Sequence, residues 1–401
     1  MQYLTAVNIC FPDRPSGSAR VAWDQALEMQ DRGHEVTLVC YAQPGYTGPA
    51  LSEMEGIEVV RAPKPTLSPW SLGRDRKNIQ AIAEAVQRSL ARRNFDVVHM
   101  HNPFPAAGVL SALGSQMRTV FTVHSPVGME LEITWASQGL PGRIKLLLGL
   151  KKMIRLERGI FAQCDALQTL SQFTRSRVDE IYGMGGKVTV IPHWRREELK
   201  RTMSKAEARD RLGWPQDKKI LFTVRRHVTR MGLDVAVDAL ACLADRGDWQ
   251  AHLAGDGPLR SSLQARARAA GCGEKIHFPG RISDEDLLLA YQAADLFLLP
   301  TRALECFGLI TLEAYCFGCP VIGTDAGASP ELIEPLSPGL VVPAGDVEAL
   351  RGKLKAFLDG ELTLPDSEEI IAYVEQGFSR QGVVDRVESL LCDSPNVESL
   401  R

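Results

Sequence analysis

The chain has no run of 18 apolar residues, so nothing in it reads as a membrane-spanning helix. Its first ten residues, Met1 to Cys10, show no basic stretch followed by a long apolar one, so they do not read as a secretory signal. Net charge is −3, which leaves no global basic field to attract nucleic acid. No G-x-x-x-x-G-K-[ST], G-x-S-x-G or H-E-x-x-H occurs, which argues against a P-loop, a hydrolase elbow and a zincin. There is no internal repeat and no low-complexity tract. The nine cysteines are odd in number and sit among apolar neighbours, as at Cys10, Cys40, Cys164 and Cys242. Reduced core thiols in a cytoplasmic protein fit that pattern better than a disulfide framework. Cys316 and Cys319 spell C-x-x-C, but at a helix end, where the dipole raises a thiol pKa. With no second pair beside it, redox or zinc use is not expected.

What is present is an alternation of strands and helices long enough for two cores. At 401 residues with 45% apolar content, two domains are the default. In the first half, Tyr3–Ile9, Val36–Tyr41, Ile57–Arg61, Asp96–Met100, Thr119–Val123, Ala166–Leu170 and Val188–Ile191 read as strands. Helical patterns lie between them, over about Ala19–Arg32 and Asp75–Arg93. The charged segment Arg195–Ala206 marks the junction. The same grammar then restarts, with strands at Ile220–Val224, Ala251–Ala254, Ile276–Phe278 and Leu296–Leu299. This predicts an α/β chain of two Rossmann-like, doubly wound domains facing a cleft, over 1–195 and 196–378. A terminal helix, about Arg380–Leu391, lies in the segment 379–401, whose last residues, Asp393 to Arg401, look frayed.

The stretch from Pro300 to Glu331 is the most informative. An apolar strand stops at Pro300, and a helix starts near Gly308 that is apolar almost all round; Gly318 and Pro320 end it. A helix that apolar is buried, yet it carries Glu313, with Glu305 just before it. Eight residues of helix turn through about 800°, about 80° from facing the same way, so the pair need not share a helix face. Glu305 fits the loop and Glu313 the second turn. Between them, Phe307, Gly308 and Leu309 offer free amides at a helix N-terminus, an anion site with hydroxyl acceptors on either side. Phosphate plus sugar hydroxyls is the ligand that fits. The plainer alternative is a core helix whose glutamates pair with nearby arginines.

Val224 is followed by Arg225, Arg226, His227, Val228, Thr229 and Arg230, three arginines at the C-terminal end of a strand. Guanidinium groups bind phosphate through paired, charge-assisted hydrogen bonds; a surface cluster pairing with local acids is the alternative. In the first half two strands run into His101-Asn102 and His124-Ser125, at the sheet edge where open α/β sheets hold ligands. His101, Asn102 and His124 are therefore candidates to line a cleft; a structural histidine at a strand end is the plainer alternative. The loop Pro15–Ser18 opens a helix and can meet a phosphate through Gly17, although it falls short of a full G-x-G-x-x-G; a plain strand-to-helix turn reads equally well.

Glu305 and Glu313 as Glu-x7-Glu, with Phe307-Gly308, Glu313-Ala314, Gly318-x-Pro320-Val321, Gly327 and Glu331 in one register, resemble the donor-binding region of glycosyltransferase family 4. The resemblance covers nearly the whole chain, more strongly in the second half. It implies the GT-B fold, with the terminal helix returning to the first domain. It also implies transfer of a sugar from a nucleotide-diphosphate sugar to an acceptor hydroxyl, with retention, without metal and without a further cofactor. By the same resemblance Glu313 holds the ribose hydroxyls and Glu305 the sugar hydroxyls. Arg226, Arg230 and the amides of Phe307 to Leu309 hold the diphosphate, and His124 meets the donor sugar from the first domain. Arg225-Arg226 stands where the family usually has Gly-Arg, followed after four residues by Lys-Gly, so Arg226 is in the arginine position. Other places depart from the family pattern. Met231 stands where the family has lysine, and Arg230, one residue earlier, is the candidate to supply its charge. His193-Trp194 replaces Asn-Gly, and Ser16-Gly17-Ser18 replaces Gly-Gly.

The one D-x-D, Asp284 to Asp286, follows Ser283 and opens an apolar helix, so helix capping accounts for it more simply than a metal site does. Arg143 to Ile160 carries six basic residues against one acidic. It reads either as a domain helix with a solvated basic face or as a peripheral contact with an anionic membrane at the inner surface. A GT-B sugar phosphorylase or epimerase, and a nucleotide-sugar-binding protein with little turnover, are the rival functions. Nucleotide base, donor sugar, acceptor and oligomeric state stay open.

Overall fold

The computed structural model describes residues 1–14, 16–64, 73–114, 117–136 and 139–392, with the backbone alone for 134–136 and 139–148. The chain divides into two compact units, one of Met1–His193 with the residues from Gln381 on, the other of Trp194–Arg380.

The first unit holds β1 (Gln2–Ala6), β2 (Glu35–Tyr41), β3 (Leu51–Met54), β4 (Ile57–Ala62), β5 (Val97–Met100), β6 (Arg118–Val123), β7 (Ala166–Thr169) and β8 (Val188–Val190). They form one sheet in the order β3-β4-β2-β1-β5-β6-β7-β8. All its pairs are parallel except β3 with β4. Parallel strands covered on both faces are apolar runs, and β5 is buried along its whole length. The strand order reverses between β1 and β5, so their C-terminal ends make the switch point at which doubly wound sheets bind ligands. The sequence reading counts Ile57–Arg61 as the third strand and misses β3. Leu-Ser-Glu-Met has no apolar run, and Leu51 is 45% exposed on this sheet edge. The hairpin itself turns through Glu55 and Gly56, both at positive φ, as a two-residue type I′ turn requires.

The helix Gly17–Asp31 starts where the side chain of Ser16 accepts the amide of Ala19 at 3.3 Å. The helix Arg380–Cys392 lies with this unit from Gln381 on. Arg32 pairs with Glu388 at 2.5 Å, Arg118 donates to the Leu390 carbonyl at 2.8 Å, and Arg386 donates to the Val190 carbonyl at 2.5 Å. The predicted tail Asp393 to Arg401 lies outside the described residues. The basic stretch Arg143–Ile160 falls in a helix, Gly139–Gln163; its side chains up to Leu148 lie outside the description. Beyond that, Lys151, Lys152, Arg155 and Arg158 are exposed, while Met153, Glu157 and Ile160 are buried. Among the described residues no helix is long and apolar enough to cross a membrane.

The second unit holds β9 (Lys219–Val224), β10 (Trp249–Ala254), β11 (Ile276–His277), β12 (Leu296–Leu299), β13 (Val321–Thr324) and β14 (Val341–Val342). All are parallel, in the order β11-β10-β9-β12-β13-β14. Its switch point lies between β9 and β12. Ser283 caps the helix Asp284–Ala293 by accepting the amide of Asp286 at 3.0 Å, so the D-x-D acids stand in a first turn, where carboxylates suit the helix dipole.

Candidate active site

The chain leaves β12 at Pro300 and runs through Thr301 to Phe307 into the helix Leu309–Cys316. Gly308 is the N-cap, at φ +96, a left-handed conformation that L side chains rarely adopt. Among the described residues, the amides of Phe307, Gly308 and Leu309 donate to nothing, and no side chain caps this helix. The first turn also holds Thr311, whose fully buried hydroxyl has no hydrogen-bond partner. Free amides and an idle hydroxyl at the positive end of a helix suit an anion.

Glu305 is fixed from both sides. Its carbonyl accepts the amide of Ala328 at 2.6 Å. A Cβ on Gly327 would stand 2.1 Å from that same carbonyl oxygen, so only glycine fits there. Leu304, just before it, sits at φ +60, unusual for a leucine. The carboxylate accepts from Nη2 of Arg225 at 2.6 Å and from the Thr301 hydroxyl at 3.3 Å, both at Oε2. Arg225 also donates through Nη1 to Thr301 Oγ1. Arg225 follows β9 and Thr301 follows β12, so this network spans the switch point.

The neighbouring arginines differ. Arg226 is exposed, and its side chain has no hydrogen bond or ion pair among the described residues. Arg230 donates to the Leu304 carbonyl at 3.2 Å, which places it against the Glu305 loop; Met231, at the family's lysine position, is buried. Glu313, in the second turn of its helix, accepts the Tyr291 phenol at 2.9 Å and lies 3.6 Å from Arg196. Burial raises the Tyr291 pKa far above its ordinary value, and the Glu313 charge adds to that, so the phenol stays a donor. Both carboxylates therefore do pair with arginines, as the plainer alternative holds, and along the chain they stand on either side of the free amides. Cys316 and Cys319 are pushed up to about 12 by burial, which leaves them inert thiols.

In the first unit, His101 and His124 meet at the sheet's C-terminal edge. Nδ1 of His101 lies 3.1 Å from Nε2 of His124, the rings stacked 5.3 Å apart. Burial, then the charges of His99 and His124, holds His101 well below its ordinary pKa, and its Nε2 has no partner. Burial and His193 likewise lower His124, so the pair is neutral. Asn102 accepts the amide of Asn8 at 2.8 Å and so ties β5's end to β1's. Gly17 opens its helix with open space where a Cβ would be. Buried His193 stands 3.1 Å from Asp24, which Arg20 also pairs at 2.8 Å.

The structure thus gathers Glu305, Arg230, Phe307, Gly308, Leu309 and Glu313 around one helix start. Arg226 stands on the same sheet edge, and His101, Asn102, His124 and Gly17 belong to the other unit. The sequence reading groups Arg225 with Arg226 and Arg230 as phosphate-binding, whereas the structure buries it against Thr301 and Glu305; it does not single out Thr301, Thr311, Tyr291 or Arg196. For Arg225 a signal existed, since it takes the place of the family's glycine in Gly-Arg.

Comparison with known proteins agrees with the geometry. Residues 15–195 match the family described as Glycosyltransferase Family 4, and residues 204–391 match Glycosyl transferases group 1. A GDP-mannose-dependent monoacylated alpha-(1-6)-phosphatidylinositol monomannoside mannosyltransferase of Corynebacterium glutamicum is 26% identical over 84% of this chain and 84% of its own length. An N-acetyl-alpha-D-glucosaminyl L-malate synthase of Bacillus anthracis is 23% identical over 96% of this chain and 95% of its own. Among solved structures, sucrose-phosphate synthase from Thermosynechococcus elongatus superposes with a TM-score of 0.82 at 19% identity, over 97% and 98% of the two chains. Anabaena HepE in complex with UDP and glucose reaches 0.77 at 18% identity, over 98% and 100%. The chain is a glycosyltransferase of the GT-B fold and belongs to glycosyltransferase family 4.

Proposed function

We propose that the protein transfers a sugar from a nucleotide-diphosphate sugar to an acceptor hydroxyl, with retention of anomeric configuration and without a metal ion or further cofactor. The observation that carries this is the set of free donors at the second unit's switch point. Exposed, unpaired Arg226 and the idle amides of Phe307 to Leu309 stand with the carboxylates of Glu305 and Glu313. As the bond from sugar C1 to phosphate oxygen breaks, negative charge grows on the leaving diphosphate. Arg226, Arg230 and the helix amides are donors suited to that charge. The acceptor oxygen bonds to C1, and its proton passes to a leaving phosphate oxygen. Arg226 and Arg230 offset part of the diphosphate charge, and the D-x-D acids stand in a turn capped by Ser283, which supports a metal-free reading. Glu313 takes the ribose hydroxyls, Glu305 the sugar hydroxyls, and His124, a neutral imidazole, the donor sugar.

Relatives name GDP-mannose, and neighbours hold UDP and glucose, so UDP and GDP head the donor search. Thermal shift with UDP, GDP, ADP and dTDP, with and without EDTA, tests the reading. A ligand at one hundred times its Kd adds about 2.7 kcal/mol of stability. One nucleotide standing out, indifferent to EDTA, supports a metal-free transferase. No shift with any of them overturns it, and a shift with inorganic phosphate as co-substrate favours a phosphorylase. The anomeric configuration of the product, read by NMR, decides retention. Exposed Lys151 and Arg155 support contact with anionic lipid; absence of flotation with anionic liposomes at low salt removes that part.

A further inference from the structure

Arg225 occupies a position where the family pattern has glycine, and its side chain is 4% exposed. A buried guanidinium needs partners, and here it has two, four residues apart in the loop that follows β12. Nη1 donates to Thr301 Oγ1 and Nη2 to Glu305 Oε2 at 2.6 Å. Because Thr301 accepts from Arg225, its own single proton goes to Glu305 Oε2, 3.3 Å away. The Thr301 carbonyl in turn accepts the hydroxyl of Thr324 at 2.6 Å, which anchors the bridge to β13. Every contact of the Glu305 carboxylate among the described residues is at Oε2; Oε1 has none, and the side chain is 14% exposed. The backbone beneath cannot shift to compensate, since Gly327, Ala328 and Leu304 hold it as described above.

We propose that Arg225 is a positioning and specificity-determining residue for the donor sugar. With Thr301 it occupies one oxygen of Glu305, so the carboxylate meets the sugar through Oε1 alone, at a fixed angle. The inference rests on the reading that Glu305 meets the sugar of a nucleotide-diphosphate sugar. One ionised oxygen takes hydroxyl donors and has no means of recognising an acceptor-only substituent. The guanidinium also balances the carboxylate charge, so the subsite suits a neutral hexosyl group with a free hydroxyl, not a uronate or an O-blocked sugar.

Lysine offers a point charge and no planar fork, so Arg225→Lys cannot serve Thr301 and Glu305 together. Binding of UDP, GDP, UDP-glucose and GDP-mannose is to be measured by titration calorimetry on the full chain, native and Arg225→Lys. Steady-state kinetics with whichever donor is turned over follow. The expected result is nucleotide affinity within about twofold of native, with sugar-nucleotide affinity or kcat reduced at least about 10-fold. Thr301→Val, which removes the neutral arm at nearly constant volume, should move the same quantities the same way by a smaller factor, and it carries the test if Arg225→Lys does not fold. Equal losses for nucleotide and sugar nucleotide would overturn the inference by assigning Arg225 to the diphosphate, as would unchanged kcat and KM in both variants. A native chain that binds none of the four, and neither ADP nor dTDP, overturns the transferase reading, and this inference with it.

Discussion

The Tyr291 phenol donates a 2.9 Å hydrogen bond to Oε2 of Glu313, from a helix that otherwise reads as apolar cover for the sheet. Glu313 is the carboxylate proposed to take ribose hydroxyls, and this bond sets its orientation. Tyr291→Phe keeps the ring and its stack against Phe317 but removes the donor. A hydrogen bond to a charged group is worth about 1.5–3 kcal/mol, so nucleotide affinity should fall at least about 10-fold by calorimetry, with the fold retained. An unchanged Kd would show that Glu313 is oriented by its other contacts, Arg196 among them, or does not touch the nucleotide.

Gly327 tests whether the backbone under Glu305 must stay where it is. Alanine there would put its Cβ 2.1 Å from the Glu305 carbonyl oxygen, at φ +69. The left-handed conformation alone costs about 1–2 kcal/mol for a residue with a Cβ, and the clash adds to it. Gly327→Ala should lose more than about 2 kcal/mol in denaturant unfolding and most of its transferase activity. A variant of native stability would mean that the loop yields, and the rigid presentation of Glu305 would be wrong.

Much of this was legible in the sequence, and the misses share a cause. The strand Leu296–Leu299 and the helix start at Gly308 emerge as read, because Pro300, Gly308, Gly318 and Pro320 punctuate them. Adjacent residues at the end of a strand point different ways, and no pattern along the chain says that Arg225 is buried while Arg226 is exposed. That depends on Thr301 and Glu305, more than seventy residues later. Tyr291 was hidden likewise, as one more apolar residue of a covering helix. The strand β3 escaped because an edge strand needs no apolar run. Local signals carry elements and turns; the partners of buried polar groups are tertiary facts.

Thr311 has a buried hydroxyl with no partner, in the first turn beside the free amides. A buried polar group left unpaired costs about 1–3 kcal/mol, so a protein without ligand should not miss it. Thr311→Val is expected to hold or raise Tm in the absence of nucleotide. If the hydroxyl is kept for the diphosphate, the same variant should show a clearly smaller thermal shift with the preferred nucleotide. A lower Tm without ligand, with an unchanged nucleotide shift, would instead mean that Thr311 serves the fold.

His99 gives the chain an acid sensitivity of predictable sign. It is fully buried in β5, between the Tyr3 phenol at 2.9 Å and the Thr122 hydroxyl at 2.6 Å. Burial, with a smaller contribution from His124, pushes its pKa down to about 3. In the unfolded chain a histidine titrates near about 6.5. Below that pH the unfolded state binds a proton that the folded state refuses, so the stability associated with neutral His99 is complete above about 6.5 and is lost as pH falls towards 3. Between pH 7 and 5 one such group removes about 2 kcal/mol. The slope should appear in urea unfolding followed from pH 7 to 5, with His101 adding to it in the same direction. His99→Gln lowers stability at every pH by disturbing Tyr3 and Thr122, but it removes one titrating group. The decisive quantity is therefore the difference between pH 7 and 5, which should shrink by about 2 kcal/mol in the variant. An unchanged difference would mean that His99 takes up its proton in the folded state as it does in the unfolded one, and is not held neutral by its burial.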